Sequence, residues 1–361
     1  MNTRFSIIFL SVWLLTLTGW SCQVPVFRYA LERWDAEKYR LVIMHRKPLG
    51  EETQKQLINL QEKLGSKVAD VNLTLEVVDV TKVDEKARWS LPDFDSMAAD
   101  HWMVLVTPKG NEPVYSEAFT KGSLQKVLNS PARKKWVGEI IKGASVVWVV
   151  IPGTDEKEAE ETRKKLDTIL AKAASQITVP EGVLKPEEVN DAKGEIDLED
   201  VLRSPIPLKI HFPTMLLNRN DPAEAVFVAM LTQGIPEELR EESVIVPVFG
   251  RGRMLQPLPA SRMTEALILG GCNYLCGACS CQVKDQNPGI DIVVQEDWSK
   301  HLQSGMVVVE KELPPLEGVG DLSPLAYKEG SEDINSMPPN KTPADASMSG
   351  FIKILSIIGG G

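Results

Sequence analysis

Residues 101–128, HWMVLVTPKGNEPVYSEAFTKGSLQKVL, decide how this chain is read. Two apolar runs, His101–Thr107 and Pro113–Phe119, flank the turn Pro108-Lys109-Gly110-Asn111, which predicts a β-hairpin. Helical periodicity then runs from Ser123 to about Lys142. Working upstream, Tyr39–His45 predicts a strand, Glu51–Leu64 a helix opened by an acidic turn, and Leu73–Val80 a β-rich segment. With a short helix before His101, the order is β-α-β-α-β-β-α.

The same order repeats downstream. Ser145–Ile151, SVVWVVI, predicts a buried strand, and Thr154–Ala174 a charged helix capped by Thr154 or Asp155. A polar connector at 178–204 follows. Then come a strand at Leu208–Leu217, a helix from Pro222 to Thr232 capped by Asp221, a strand at Val244–Phe249, an extended piece near Arg253–Leu258 and a helix at Ser261–Leu269. Each run resembles a thioredoxin-like domain in its element order. Residues 107–128 are similar to that fold's closing hairpin and helix, and Pro247 lies where the fold places a proline beside a strand. The expected class is therefore α/β, with two tandem thioredoxin-like domains at 36–144 and 145–311.

The ends set the expected location. Arg4 precedes an apolar run from Phe5 to Leu17, and Gly19-Trp20-Ser21 puts small side chains around a bulky one, which predicts a secretory signal at 1–21. Cleavage after Ser21 leaves Cys22 first, so Cys22 is a lipidation candidate, although Gly19 stands where a lipobox carries leucine. The protein is expected to be exported to the cell envelope, held at the membrane by a lipid anchor or free in the periplasm. Residues 22–35 read as a short amphipathic helix, with Val26, Phe27, Ala30, Leu31 and Trp34 packing onto the first domain and Arg28, Glu32 and Arg33 turned away. From residue 312 onward the Pro, Gly, Ser and acid content predicts a disordered tail.

Loss of Arg4 with the leader takes the formal net charge from -10 to -11. A chain this acidic, without a basic stripe, is not expected to bind nucleic acid; protein partners in the envelope are expected instead. No G-x-S-x-G, Walker loop or dinucleotide glycine pattern is present.

Chemistry concentrates in residues 270–284, GGCNYLCGACSCQVK, which hold Cys272, Cys276, Cys279 and Cys281. Two disulfides stapling a Gly-rich loop suit an oxidising compartment and leave an even count if Cys22 is lipidated. The alternatives are a thiolate site for zinc or copper and a working dithiol at Cys276-Gly277-Ala278-Cys279. The spacing of the first three cysteines also matches radical-SAM enzymes, but it falls too late in the chain for their barrel. Thioredoxin chemistry needs a thiol at the helix N-terminus after the first strand, and both such places, His45-Arg46-Lys47-Pro48 and Gly153-Thr154-Asp155-Glu156, lack sulfur. No cofactor is expected. In VPVFGRGRML, Arg251 and Arg253 project from a Gly-rich turn and are candidates for binding an anion.

Taken together, VPVFRYALERW, PVFGRGR and CSCQVKDQNPG resemble an uncharacterised family of exported bacterial proteins, lipoproteins among them. That resemblance implies no activity. The expected function is a non-enzymatic interaction scaffold, with a thiol oxidoreductase or metal-binding protein as the alternative.

Overall fold

Side-chain alternation along the strands sorts the apolar residues into three clusters. The computed structural model describes residues 22–66, 70–84, 91, 97–109, 112–191, 196–279 and 282–302. The leader at 1–21, the tail from 312 and Cys281 lie outside the described residues. In chain order the elements are α1 (Val26–Arg33), β1 (Tyr39–His45), α2 (Glu51–Gly65), β2 (Leu73–Asp79), β3 (His101–Val106), β4 (Pro113–Ala118), α3 (Lys121–Leu128), α4 (Pro131–Ile141) and β5 (Val147–Ile151). They continue with α5 (Glu156–Gln176), β6 (Thr214–Leu216), α6 (Ala225–Thr232), β7 (Val244–Phe249), β8 (Arg253–Met254), β9 (Leu258–Pro259), α7 (Glu265–Cys276), β10 (Ile290–Asp291) and α8 (Ser299–Leu302).

Two sheets form, in the orders β2-β1-β3-β4 and β10-β8-β7-β5-β6, with β9 also paired to β7. Their central strands share one plan. β1 runs parallel to β2 and antiparallel to β3, which is antiparallel to β4. Likewise β5 runs parallel to β6 and antiparallel to β7, which is antiparallel to β8.

Leu41 and Ile43 of β1 with Met103 and Leu105 of β3 face the same core as Val147, Val149 and Ile151 of β5 and Val244, Val246 and Val248 of β7. Leu124, Trp136, Ile140, Phe227 and Met230 from α3, α4 and α6 fill the space between them. The opposite face of the first sheet, Val42, Met44, Val104 and Val106, meets Val80 and Met97. On the second sheet the opposite face, Trp148, Val150, Ile245 and Phe249, is covered by α1, α5 and α7. This period-two division is what a sheet buried on both faces requires.

Several elements depart from their expected bounds. The long helix expected from Ser123 breaks into α3 and α4, because Ser130 accepts a hydrogen bond from Arg133 N and Pro131 opens a new helix. Only Thr214–Leu216 of the strand expected at Leu208–Leu217 is a strand. Pro247 lies mid-strand opposite Trp148, in trans. It is tolerated because its ring nitrogen, on the same strand edge as the carbonyl that accepts from Leu255 N, faces the gap where β8 has ended and β9 has not begun, so no ladder N–H is lost.

The chain after β10 crosses from one sheet to the other. Val71 pairs with Gln295, and Asn72 donates to Ile292 O at 3.0 Å while accepting from Val294 N at 2.8 Å. Buried Arg133 donates to Val293 O at 2.6 Å and to Val127 O at 2.7 Å.

Candidate functional site

The cysteines expected in a loop begin inside a helix. α7 is capped by Thr264, which accepts from Leu267 N, and it runs through Gly270 and Gly271 to Cys276. Two mid-helix glycines cost about 1 kcal/mol each. Burial of Ile268, Cys272, Leu275 and Cys276 on one face outweighs that cost. Cys272 and Cys276 are therefore an i,i+4 pair, and their Cβ atoms lie about 5–6 Å apart on successive turns. A disulfide needs roughly 3.5–4.5 Å. Cys22, Cys272 and Cys276 are free thiols, so no disulfide forms among these three.

Burial sets the chemistry of these thiols. Cys272 is 0% exposed and Cys276 1%. Burial pushes the Cys272 thiol up to about 12. Cys276 is pushed to about 12 as well, by burial first and by neighbouring Cys272 second. Cys276 also closes the helix at its C-terminal end, where the macrodipole disfavours a thiolate. At the helix N-terminus after β5, the place for a working thiol is held by Asp155, whose carboxylate accepts from Lys157 N and Glu158 N. Among the described residues, no three His, Cys, Asp or Glu side chains are grouped to hold a metal.

The fourth described cysteine is the one sequence reasoning set apart. Cys22 belongs to the same buried cluster as Cys272, Cys276 and Cys279. Its thiol donates to Glu199 O at 3.2 Å, and burial, as the largest cause, pushes its pKa up. The following residues are woven into the fold. Pro25 pairs antiparallel with Ala278, Cys279 N donates to Val24 O at 3.0 Å, and Val26 N donates to Gly277 O at 3.1 Å.

α1 thus packs on the second sheet, not as a surface helix on the first domain. Its expected polar face is buried too. Arg28 and Glu32 form an ion pair at 2.8 Å with both side chains no more than 1% exposed. Arg28 donates onward to Ser204 O and Ile206 O, while Glu32 accepts from Arg203 N. The connector expected at 178–204 supplies Ser204 and Arg203, along with Glu199, which accepts from Tyr29, Arg33 and Arg203. The i,i+4 spacing of opposite charges in Arg28 and Glu32 was the available signal.

The arginine turn holds α1 and the post-cysteine segment together. Gly250 has φ +60, and a Cβ there would lie 2.8 Å from Ala30 Cβ, so only glycine allows the helix this close. Arg251 donates to Leu31 O and Glu32 O and pairs with Asp35 at 2.8 Å. Arg253 donates to Asn287 O and Pro288 O, pairs with buried Asp291 at 3.2 Å and lies 5.6 Å over the Trp34 ring. Lys284 also pairs with Asp291, and Trp34 Nε1 donates to Gln282 O. Both guanidiniums are occupied by the chain's own carbonyls and carboxylates, because that turn is buried between α1 and 284–291.

No family model matches the chain, and no curated protein does. Among solved structures, the chain is similar to the first two thioredoxin domains of Saccharomyces cerevisiae Eps1p, at 12% identity over 62% of this chain and 84% of that one, with a TM-score of 0.22. A likeness that slight carries no argument about fold or function.

Proposed function

We propose that the chain is a non-enzymatic protein of the cell envelope in which two thioredoxin-like units serve as an interaction scaffold. The observation that carries this reading is the state of the sulfur. Cys272 and Cys276 are buried thiols held protonated in the last turns of a helix, and the helix N-terminal positions after β1 and β5 have none. The repeated strand plan, with a parallel pair followed by two antiparallel strands, supports the thioredoxin-like assignment of both halves. The apolar leader with its small-residue end supports export. The burial of Cys22 favours a periplasmic protein over a lipid-held one.

Reduction of a disulfide substrate such as insulin, coupled to a small dithiol, tests the reading. The expected rate is the uncatalysed one. Catalysis above that background, abolished in Cys276→Ala or Cys279→Ala, would replace the scaffold with an oxidoreductase.

A further inference from the structure

The surroundings of Cys22 bear on how the chain is processed. A lipoprotein carries its diacylglyceryl group as a thioether on the sulfur of its first residue, and that sulfur must reach the bilayer. Here Cys22 is 1% exposed, packs with Val24, Phe27, Cys276 and Cys279 in one cluster, and uses its S–H to donate to Glu199 O. A thioether has no proton to donate. The next residue is pinned as well, since Gln23 N donates to Asp200 Oδ1 at 2.5 Å.

Asp200 supplies a second, independent observation. Neighbouring Glu199 is balanced by Arg33 at 3.1 Å and Arg203 at 2.9 Å, with Tyr29 donating to it as well. Asp200 has no such cation among the described residues, and its carboxylate accepts from Gln23 N. Consecutive backbone nitrogens lie at most about 3.7 Å apart, so the nitrogen of Cys22 is within roughly 6 Å of the Asp200 carboxylate. A positive charge created on that nitrogen would have its counter-ion in place.

We infer that Cys22 is the amino-terminal residue of the mature chain, with an unmodified buried thiol and a free α-ammonium received by Asp200. In the step that creates it, a signal peptidase uses one water to hydrolyse the Ser21–Cys22 peptide bond. The carboxylate stays on Ser21, and the nitrogen of Cys22 leaves protonated. No acyl or diacylglyceryl group is then added. This inference rests on the export part of the proposed function and is independent of whether the thiols turn over.

The test is the intact mass of the full-length chain expressed with its own leader in a bacterial host and purified from the envelope fraction, followed by sequencing of the amino-terminal peptide. The expected result is a chain starting at Cys22 with no added mass. A diacylglyceryl adduct on Cys22, an acylated amino group, a retained leader or a start at another residue would each overturn it. Labelling of the α-amino group by an amine-reactive reagent across pH reads the role of Asp200. The half-labelling pH should lie about one unit higher in the wild type than in Asp200→Asn; equal midpoints would overturn that role. Neither readout depends on disulfide turnover, so this inference and the scaffold reading can fail separately.

Discussion

A chain that begins at Asp35 is expected to lose the packing of its second sheet. Residues 22–34 look dispensable in sequence, as a short helix behind a leader. In the structure, Val24, Val26, Phe27, Tyr29, Ala30, Leu31 and Trp34 are each no more than 6% exposed. At about 1.5–3 kcal/mol for each large apolar side chain buried, their loss removes on the order of 10 kcal/mol. Whole domains are stable by only about 5–15 kcal/mol. Deletion also strips Arg251 of Leu31 O and Glu32 O, and Arg253 of the Trp34 ring. Near-ultraviolet circular dichroism and amide exchange should show β5 to β7 unprotected, with protection restored by the 22–34 peptide added in trans. A truncated chain that unfolds as cooperatively as the full one would show that α1 is an accessory.

The second large effect is alkaline. Cys272 and Cys276 stay protonated in the folded chain up to about 12, whereas the ordinary value for a cysteine thiol is 9.0. Above pH 9 the unfolded chain binds fewer protons than the folded one, so stability falls as pH rises. The contribution is fully present below 9 and is lost between 9 and 12, by about 1.4 kcal/mol per pH unit for each thiol. Urea unfolding across that window should give a slope shallower by two protons in Cys272→Ala/Cys276→Ala than in the wild type. The double variant starts less stable, because it leaves cavities in the core. Equal slopes would mean that the two thiols titrate alike in both states.

Much of the architecture was legible in the sequence. The hairpin at 101–118 and the strand in SVVWVVI carry their own turn and periodicity signals. Amphipathicity also identified α1, but a hydrophobic face states that a helix is buried and not against what. Its partner, α7, lies more than 200 residues away, and only the fold brings them together. The end of α7 was misplaced because Gly270-Gly271 reads as a stop, whereas burial of one helix face overrides a propensity cost of that size. Arg251 and Arg253 looked free because a sequence shows the donors of an arginine and not the carbonyls that accept from them. The three segments behind the family resemblance, 24–34, 247–253 and 279–289, turn out to touch one another, through Cys279 N and Val24 O, Arg251 and Leu31 O, and Arg253 and Pro288 O.

The central claim is that the cysteines hold the fold and do no chemistry. Alkylation at neutral pH, with and without denaturant and read residue by residue by mass spectrometry, tests it most directly. A shift from 9.0 to about 12 lowers the thiolate fraction of Cys272 and Cys276 about a thousandfold. The account predicts no adduct on Cys272, Cys276 or Cys279 in the native protein, and one on each after denaturation. Modification of Cys276 or Cys279 in the native protein within minutes would contradict it and make the cysteine helix an active centre.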